Sequence, residues 1–202
     1  MPDPKPYATL LAKGEDRRQR ILAAAQRLLT RNGGRGTTLG QIAEAAGVSA
    51  AGLLHHFESK EQLLHAVLDA RDAADLASAD LEADLLEALE GVVERFRRAP
   101  ESVGTFTVLL MENVDPDAPL HNRFLERYRD AVQIVAELIR RGQRAGRFRT
   151  DIDPSVKATE IIAFLYGIEA SWLLDPSIPL TEVLSEYTRS LAAQLVLQPC
   201  AH

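Results

Sequence analysis

The chain has 202 residues, 46% of them hydrophobic, and its 23 Lys/Arg against 29 Asp/Glu give a formal net charge of −6. This length buries a sizeable core in one or two domains, no apolar run approaches the roughly 18 residues of a membrane span, and Cys200, standing alone, excludes an internal disulfide. The opening MPDPKPYATLLAKGEDRR lacks the continuous apolar segment of a signal peptide, so the expectation is a cytoplasmic protein with no membrane partner.

Charge is unevenly distributed. Residues 1–60 hold 9 Lys/Arg and 5 Asp/Glu, whereas residues 61–202 hold 14 and 24. A mildly basic head on an acidic body lets one end face phosphates while the other repels them.

Residues 1–14 contain three prolines and no sustained period, and read as a mobile N-terminal arm. From Glu15 a helix begins with acids in its first turn, carries Ile21, Leu22, Ala25, Leu28 and Leu29 as a buried stripe, and stops at Asn32-Gly33-Gly34. The stretch from Thr38 to Lys60, TLGQIAEAAGVSAAGLLHHFESK, then sets two short helices around a glycine turn. Thr38 with Gln41 has the spacing of a capping box. Ile42, Ala43 and Ala46 fall at helical spacing, Gly47 suits a left-handed helix end, and Ser49 caps a second helix over about Ala50 to His56. Two helices joined by about three residues form a helix-turn-helix. With the preceding helix they make a three-helix head, residues 15–60, whose core takes Leu53 and Phe57.

A helix-turn-helix presents the N-terminal residues of its second helix to the major groove. Here that face is Ala50, Ala51, Gly52, Leu54 and His55, with His56 near the end. Small residues allow close backbone approach, and Leu54 can touch a thymine methyl. Gly52 costs about 1 kcal/mol in a helix interior relative to alanine, which close approach to DNA would justify. Phosphate contacts fall to Thr38, Ser49, His55, His56 and Lys60, with Arg35 adding a charge. Thr38 is equally a plain N-cap, and the roles are compatible.

Arg35-Gly36-Thr37 and the run after it, T-T-x-x-x-I-A-x-x-A-G-V-S followed by x-L-x-x-H-F-x-S-K-E-x-L, resemble the DNA-binding segment of TetR-family transcriptional regulators. The resemblance spans about fifty residues, Arg17 to Leu68; beyond them it extends only as size and helical pattern. One position departs from the family pattern. Where the family usually has a tyrosine that touches the DNA backbone or a thymine methyl, this chain has Leu54, which keeps the apolar contact and loses the hydroxyl.

Ser59 opens a longer helix through Leu63, Leu64, Val67 and Leu68 to the late seventies, joining head to body. Amphipathic residues 81–98, closed by Pro100, precede a short apolar helix from Val103 to Glu112. Asp115-Pro116-Asp117-Ala118-Pro119 is a loop, followed by a long helix from about Leu120 to Ala145 that Gly146 ends. Arg140, Arg141, Arg144, Arg147 and Arg149 gather at its C-terminus, where cations answer the helix dipole; an anion site is the other reading. Asp153-Pro154 starts a helix to about Leu174 that is apolar on nearly every side, and a last helix covers about Leu180 to Leu197. The expected fold is all-α, about nine helices, with a helix-turn-helix head and a helical-bundle body over residues 61–202.

The resemblance implies a homodimer built from the last two helices, with Ile161, Leu165, Ile168, Leu184, Leu191 and Leu195 as interface candidates. It also implies an effector pocket in the body, for which Phe106, Leu110, Met111, Tyr128, Phe164, Tyr166 and Trp172 are candidates, although such residues at helical spacing also serve as plain core. The function expected is a ligand-responsive repressor of a palindromic double-stranded DNA operator, released by an unknown small apolar or amphipathic effector. The alternative is a dimeric DNA-binding repressor with no effector.

No enzyme, cofactor or metal is expected. Gly47-Val48-Ser49-Ala50-Ala51-Gly52 has its second glycine one place too late for a nucleophile elbow. Gly33-Gly34-Arg35-Gly36 lacks the spacing of a dinucleotide loop, and adjacent His55 and His56 diverge by about 100° on a helix.

Overall fold

The structure, a computed structural model, describes residues 6–78 and 83–196. They form α1 (Pro6–Asn32), α2 (Leu39–Ala46), α3 (Ala50–His56), α4 (Lys60–Ser78), α5 (Leu85–Arg98), α6 (Pro100–Glu112), α7 (His121–Arg144), α8 (Pro154–Leu174) and α9 (Leu180–Leu195). Among the described residues there is no strand, only an isolated bridge between Phe148 and Val196, and no helix is long and apolar enough to cross a membrane. The all-α expectation holds.

The expected arm needs correction. Residues 1–5 lie outside the described residues, but α1 already begins at Pro6. Proline costs little at a first helical position, where its missing N–H would have had no partner, and Tyr7 to Lys13 contains neither glycine nor a further proline.

Local chemistry sets the other boundaries. Asp84 caps α5 by accepting from the amides of Leu86 and Glu87, while Glu87 reaches back to the Asp84 N–H at 2.8 Å. Asp153 caps α8 ahead of Pro154, accepting from Ser155 N at 2.7 Å. The arginines at the end of α7 are engaged with protein groups: Arg140 and Arg144 with Glu137, Arg149 with Asp151, Arg147 with Asp84, and Arg141 with the Ala83 carbonyl. This pairing favours the structural reading of that cluster over an anion site.

Two apolar clusters organise the packing. The first joins Ile21, Leu29, Ile42, Leu53 and Phe57 of the head to Leu63, Phe106, Leu109, Leu120 and Phe124 of the body. The head's core is therefore completed by α6 and α7, and residue 60 does not divide the apolar core. The second cluster, from Leu85 to Leu195, fills the space among α5, α7, α8 and α9. Each fully buried leucine or phenylalanine contributes roughly 1.5–3 kcal/mol relative to exposure.

The head–body seam is fixed where α1 crosses α6. Thr30 and Thr105 hydroxyls lie 2.8 Å apart, and a Cβ on Gly104 would come within 2.7 Å of the Thr30 methyl. At the end of α6, Glu112 accepts from the Gly34 amide at 2.7 Å, and Arg35 donates to the Glu112 carbonyl at 3.2 Å. Glu112 thereby ties the end of α6 to the loop that leads into α2.

Five of the six interface candidates take a different place. Ile161, Leu165, Leu184, Leu191 and Leu195 are buried within the single chain, and Ile168 is half-buried beside them. These side chains build the protomer's own core. The faces α8 and α9 leave open carry instead Val156, Ala163, Gly167 and Leu174, the last 89% exposed, with Ser185, Ser190 and Ala193.

Candidate functional site

The helix-turn-helix is built from reciprocal caps. Thr38 is extended, accepts from Gln41 N at 3.2 Å, and donates its own N–H to Gln41 Oε1 at 2.8 Å. Thr37, fully buried, donates to the Gly33 carbonyl at 2.7 Å and anchors the approach to α2. Gly47 has φ +65, the left-handed conformation that lets the amides of Gly47 and Val48 return to the carbonyls of Glu44 and Ala43. Ser49 Oγ then accepts from Gly52 N at 3.0 Å to start α3.

Leu53 and Phe57 are buried, so α3 turns its other face outward: Ala50, Ala51, His55 and Leu54, which is 47% exposed. Gly52 is half-buried. A Cβ there would meet Ser49 Oγ at 3.1 Å, so its missing side chain also relieves the cap. His56 is half-buried and its pKa is lowered by partial burial and by the neighbouring His55, Arg17 and Arg18. The Arg17 and Arg18 charges are therefore felt at His56, and Arg18 lies 5.5 Å from the Phe57 ring. The sequence reading overlooked these two cations; their signal was the polar Arg17-Arg18-Gln19-Arg20 run in α1. Arg35 and Lys60 share a cleft of about 330 Å³ at the head–body seam with Glu112 and Asn113, where Arg35 is already tied to Glu112.

A second concavity, of about 680 Å³, opens in the body among α4, α5, α7 and α8. Of the seven pocket candidates, Phe106 and Tyr166 line it. The others sit elsewhere. Leu110 packs on the head cluster, Met111 is 52% exposed, Tyr128 packs beside Tyr166, Phe164 stacks on Tyr187 at 3.6 Å, and Trp172 meets Phe96 edge-on at 6.3 Å. Aliphatic side chains supply most of the lining, among them Leu85, Leu89, Val92, Ile134, Val135 and Leu138.

The cavity also holds an ionic network that the sequence reading missed. Asp72 of α4 receives Arg123 at 2.6 Å and also Arg127. Asp75 lies 3.1 Å from Arg127, 3.6 Å from Arg95 and 3.7 Å from Arg71. Glu169, buried in α8, accepts from the Thr107 hydroxyl at 3.2 Å and lies 3.9 Å from Arg95. Burial raises the Glu169 pKa against the opposing pull of Arg71 and Arg95. Burial likewise lowers Arg71 to about 10, which leaves it charged at neutral pH. The available signal was Glu169 itself, a lone acid within the apolar run from Ile161 to Leu173.

Comparison with known proteins agrees with both halves. Residues 21–67 match the family of bacterial regulatory proteins described as tetR, and residues 82–196 match the C-terminal region of the BetI-type transcriptional repressors. The chain is 31% identical over 151 residues to the transcriptional repressor AcnR of Corynebacterium diphtheriae, spanning 75% of this chain and 78% of that one. It is 26% identical over 179 residues to the regulator TtgR of Pseudomonas putida, spanning 81% and 83%. Among solved structures, the SmeT–triclosan complex superposes with a TM-score of 0.76 at 19% identity over 91% of this chain and 93% of that one. NalD, the secondary repressor of a multidrug efflux pump in Pseudomonas aeruginosa, superposes at 0.73 with 21% identity over 91% and 97%. These superpositions speak for the fold.

Proposed function

The chain belongs to the TetR family of transcriptional regulators, and on that premise we propose that it is a repressor of a palindromic operator, released when a small amphipathic effector enters the body cavity. The observation that carries this reading is α4. It follows directly on the helix-turn-helix, beginning at Lys60, and its second half supplies Arg71, Asp72 and Asp75 to the cavity wall. A ligand that favours one placement of α4 thereby favours one placement of the head, and its differential affinity for the two placements is the switch. The cavity volume suits a small molecule, and the SmeT complex with triclosan shows that this fold accommodates one.

In this reading the head is residues 15–60 and the effector and dimerisation body residues 61–202. The exposed face of α3, Ala50, Ala51, Gly52, Leu54 and His55, enters the major groove, while Thr38, Ser49, His56, Lys60 and Arg35 stand toward the phosphates, joined by Arg17 and Arg18. Two protomers associate through the open faces of α8 and α9, where Val156, Ala163, Gly167 and Leu174 offer small and apolar contacts. A repressor with no effector remains the second reading, and the body cavity is what favours the first over it.

Footprinting on DNA flanking the chain's own gene tests the proposal. The expected result is protection of an inverted repeat whose half-site centres lie one helical turn apart, roughly 34–36 Å, or a multiple of it, by a species that light scattering identifies as a dimer or a pair of dimers. Protection of a single unrepeated site by a monomer would refute it.

A further inference from the structure

The charges around the body cavity divide into a matched set and a surplus. Its four arginines are matched by four carboxylates. Arg123 lies 2.8 Å from Asp69 and 2.6 Å from Asp72, Arg127 3.1 Å and Arg71 3.7 Å from Asp75, and Arg95 3.9 Å from Glu169. Two further acids of the lining, Glu126 and Asp130, are left over. Both are exposed, and among the described residues neither has an ion-pair or hydrogen-bond partner. The surplus also has a direction. Glu126, Asp130, Ile134 and Leu138 line the cavity and follow one another four residues apart along α7, so they form one ridge with an acidic end and an apolar end. At about 1.5 Å per residue, Leu138 lies about 12 Å along the helix from Asp130. Ile134, 64% exposed, and Leu76 of α4, 69% exposed, line the same cavity and leave apolar surface open to solvent.

We propose that the cavity takes an amphipathic primary amine, its ammonium donating to Glu126 and Asp130 and its hydrocarbon lying along Ile134 and Leu138 toward Leu89 and Val92 of α5. A primary ammonium brings three N–H donors to carboxylates that have none. A quaternary ammonium brings charge alone, and the aromatic lining gives it no seat, because the Arg71 guanidinium already covers the Phe106 ring at 3.7 Å. An anionic head would add to a charge that is already in surplus. Because both acids stand in water, little desolvation opposes the contact, and salt screens it. The proposal rests on the effector reading and adds to it the chemistry of the ligand.

The test uses the full chain and four head groups on one ten-carbon body: decylamine, decyltrimethylammonium, decanol and decanoate. Calorimetric titration at neutral pH and low salt is expected to show decylamine binding about fivefold tighter than decanol, the scale of an exposed ion pair. Decyltrimethylammonium is expected to fall between them and decanoate to bind weakest, with the spread narrowing as salt is raised. Glu126→Gln with Asp130→Asn is expected to erase the preference of amine over alcohol while decanol affinity stays within about twofold, with circular dichroism melts showing that the variant is folded. Decanol binding as tightly as decylamine, the quaternary compound binding tighter than the primary amine, or a preference that survives in the double variant would overturn the amine assignment and leave the effector pocket standing. Binding by none of the four would overturn it as well. If decylamine binds through Glu126 and Asp130 and operator affinity is unmoved, the amine site is upheld and the effector reading falls.

Discussion

Ala51→Glu is expected to weaken operator binding by about 100-fold or more while leaving the fold intact. Ala51 is exposed and sits two places after the Ser49 cap, in the first turn of α3. A carboxylate there meets the positive end of the helix dipole, so stability should change by no more than about 0.5 kcal/mol. On DNA the same side chain sets a negative charge and four extra heavy atoms where the helix backbone must approach a groove lined by phosphates. Like-charge juxtaposition costs several kcal/mol, and loss of one base contact costs about 1–3 kcal/mol. Fluorescence anisotropy on the footprinted operator, paired with a thermal melt, separates the two effects. Unchanged affinity would remove α3 as the reading helix.

Replacing Arg71 and Glu169 together, as Arg71→Met with Glu169→Gln, is expected to raise the stability of the protein by about 2–3 kcal/mol. Burial holds Arg71 down to about 10 from 12.5 and holds Glu169 up from 4.5, so both charged forms are less favourable in the folded chain than in the unfolded one. The Arg71 shift alone corresponds to about 3 kcal/mol. Buried ion pairs exchanged for apolar or neutral groups of similar volume are often stabilising by about 1–4 kcal/mol. In a chain of this length that gain is roughly 4–12 °C in melting temperature. The pH dependence follows from Glu169. Its folded pKa stands above the ordinary 4.5, so its favourable contribution is complete below 4.5 and is lost as pH rises through the folded value. The variant's advantage over the parent should therefore narrow as pH falls toward 4.5. A lower melting temperature for the double variant at neutral pH would show that the pair stabilises the apo fold.

The head was legible because its determinants are local. Thr38 with Gln41, Gly47, and Ser49 with Gly52 each act within four residues, and every one of those bonds is present in the structure. Some boundaries of the body's helices were legible for the same reason, through Pro100 and Asp153-Pro154. What periodicity does not carry is the identity of the neighbour. In α8 apolar residues lie on nearly every side, and the pattern cannot say which side meets its own chain; Ile161 and Leu165 went inward while Val156 and Leu174 stayed outside. The cavity was only partly legible, on similar grounds. Of the mainly aromatic candidates only Phe106 and Tyr166 line it, the rest of its walls being aliphatic side chains and an ionic network from four helices, and Arg71, Asp72 and Asp75 look in isolation like a solvated helix face.

Most direct for the central claim is the ratio of affinities for the footprinted operator and for random DNA of equal length, measured at two salt concentrations. A specific reader is expected to prefer its operator by about 10³ or more, with binding to both weakened by salt through the phosphate contacts. Equal affinity for the two DNAs, or no binding to either, would contradict the account.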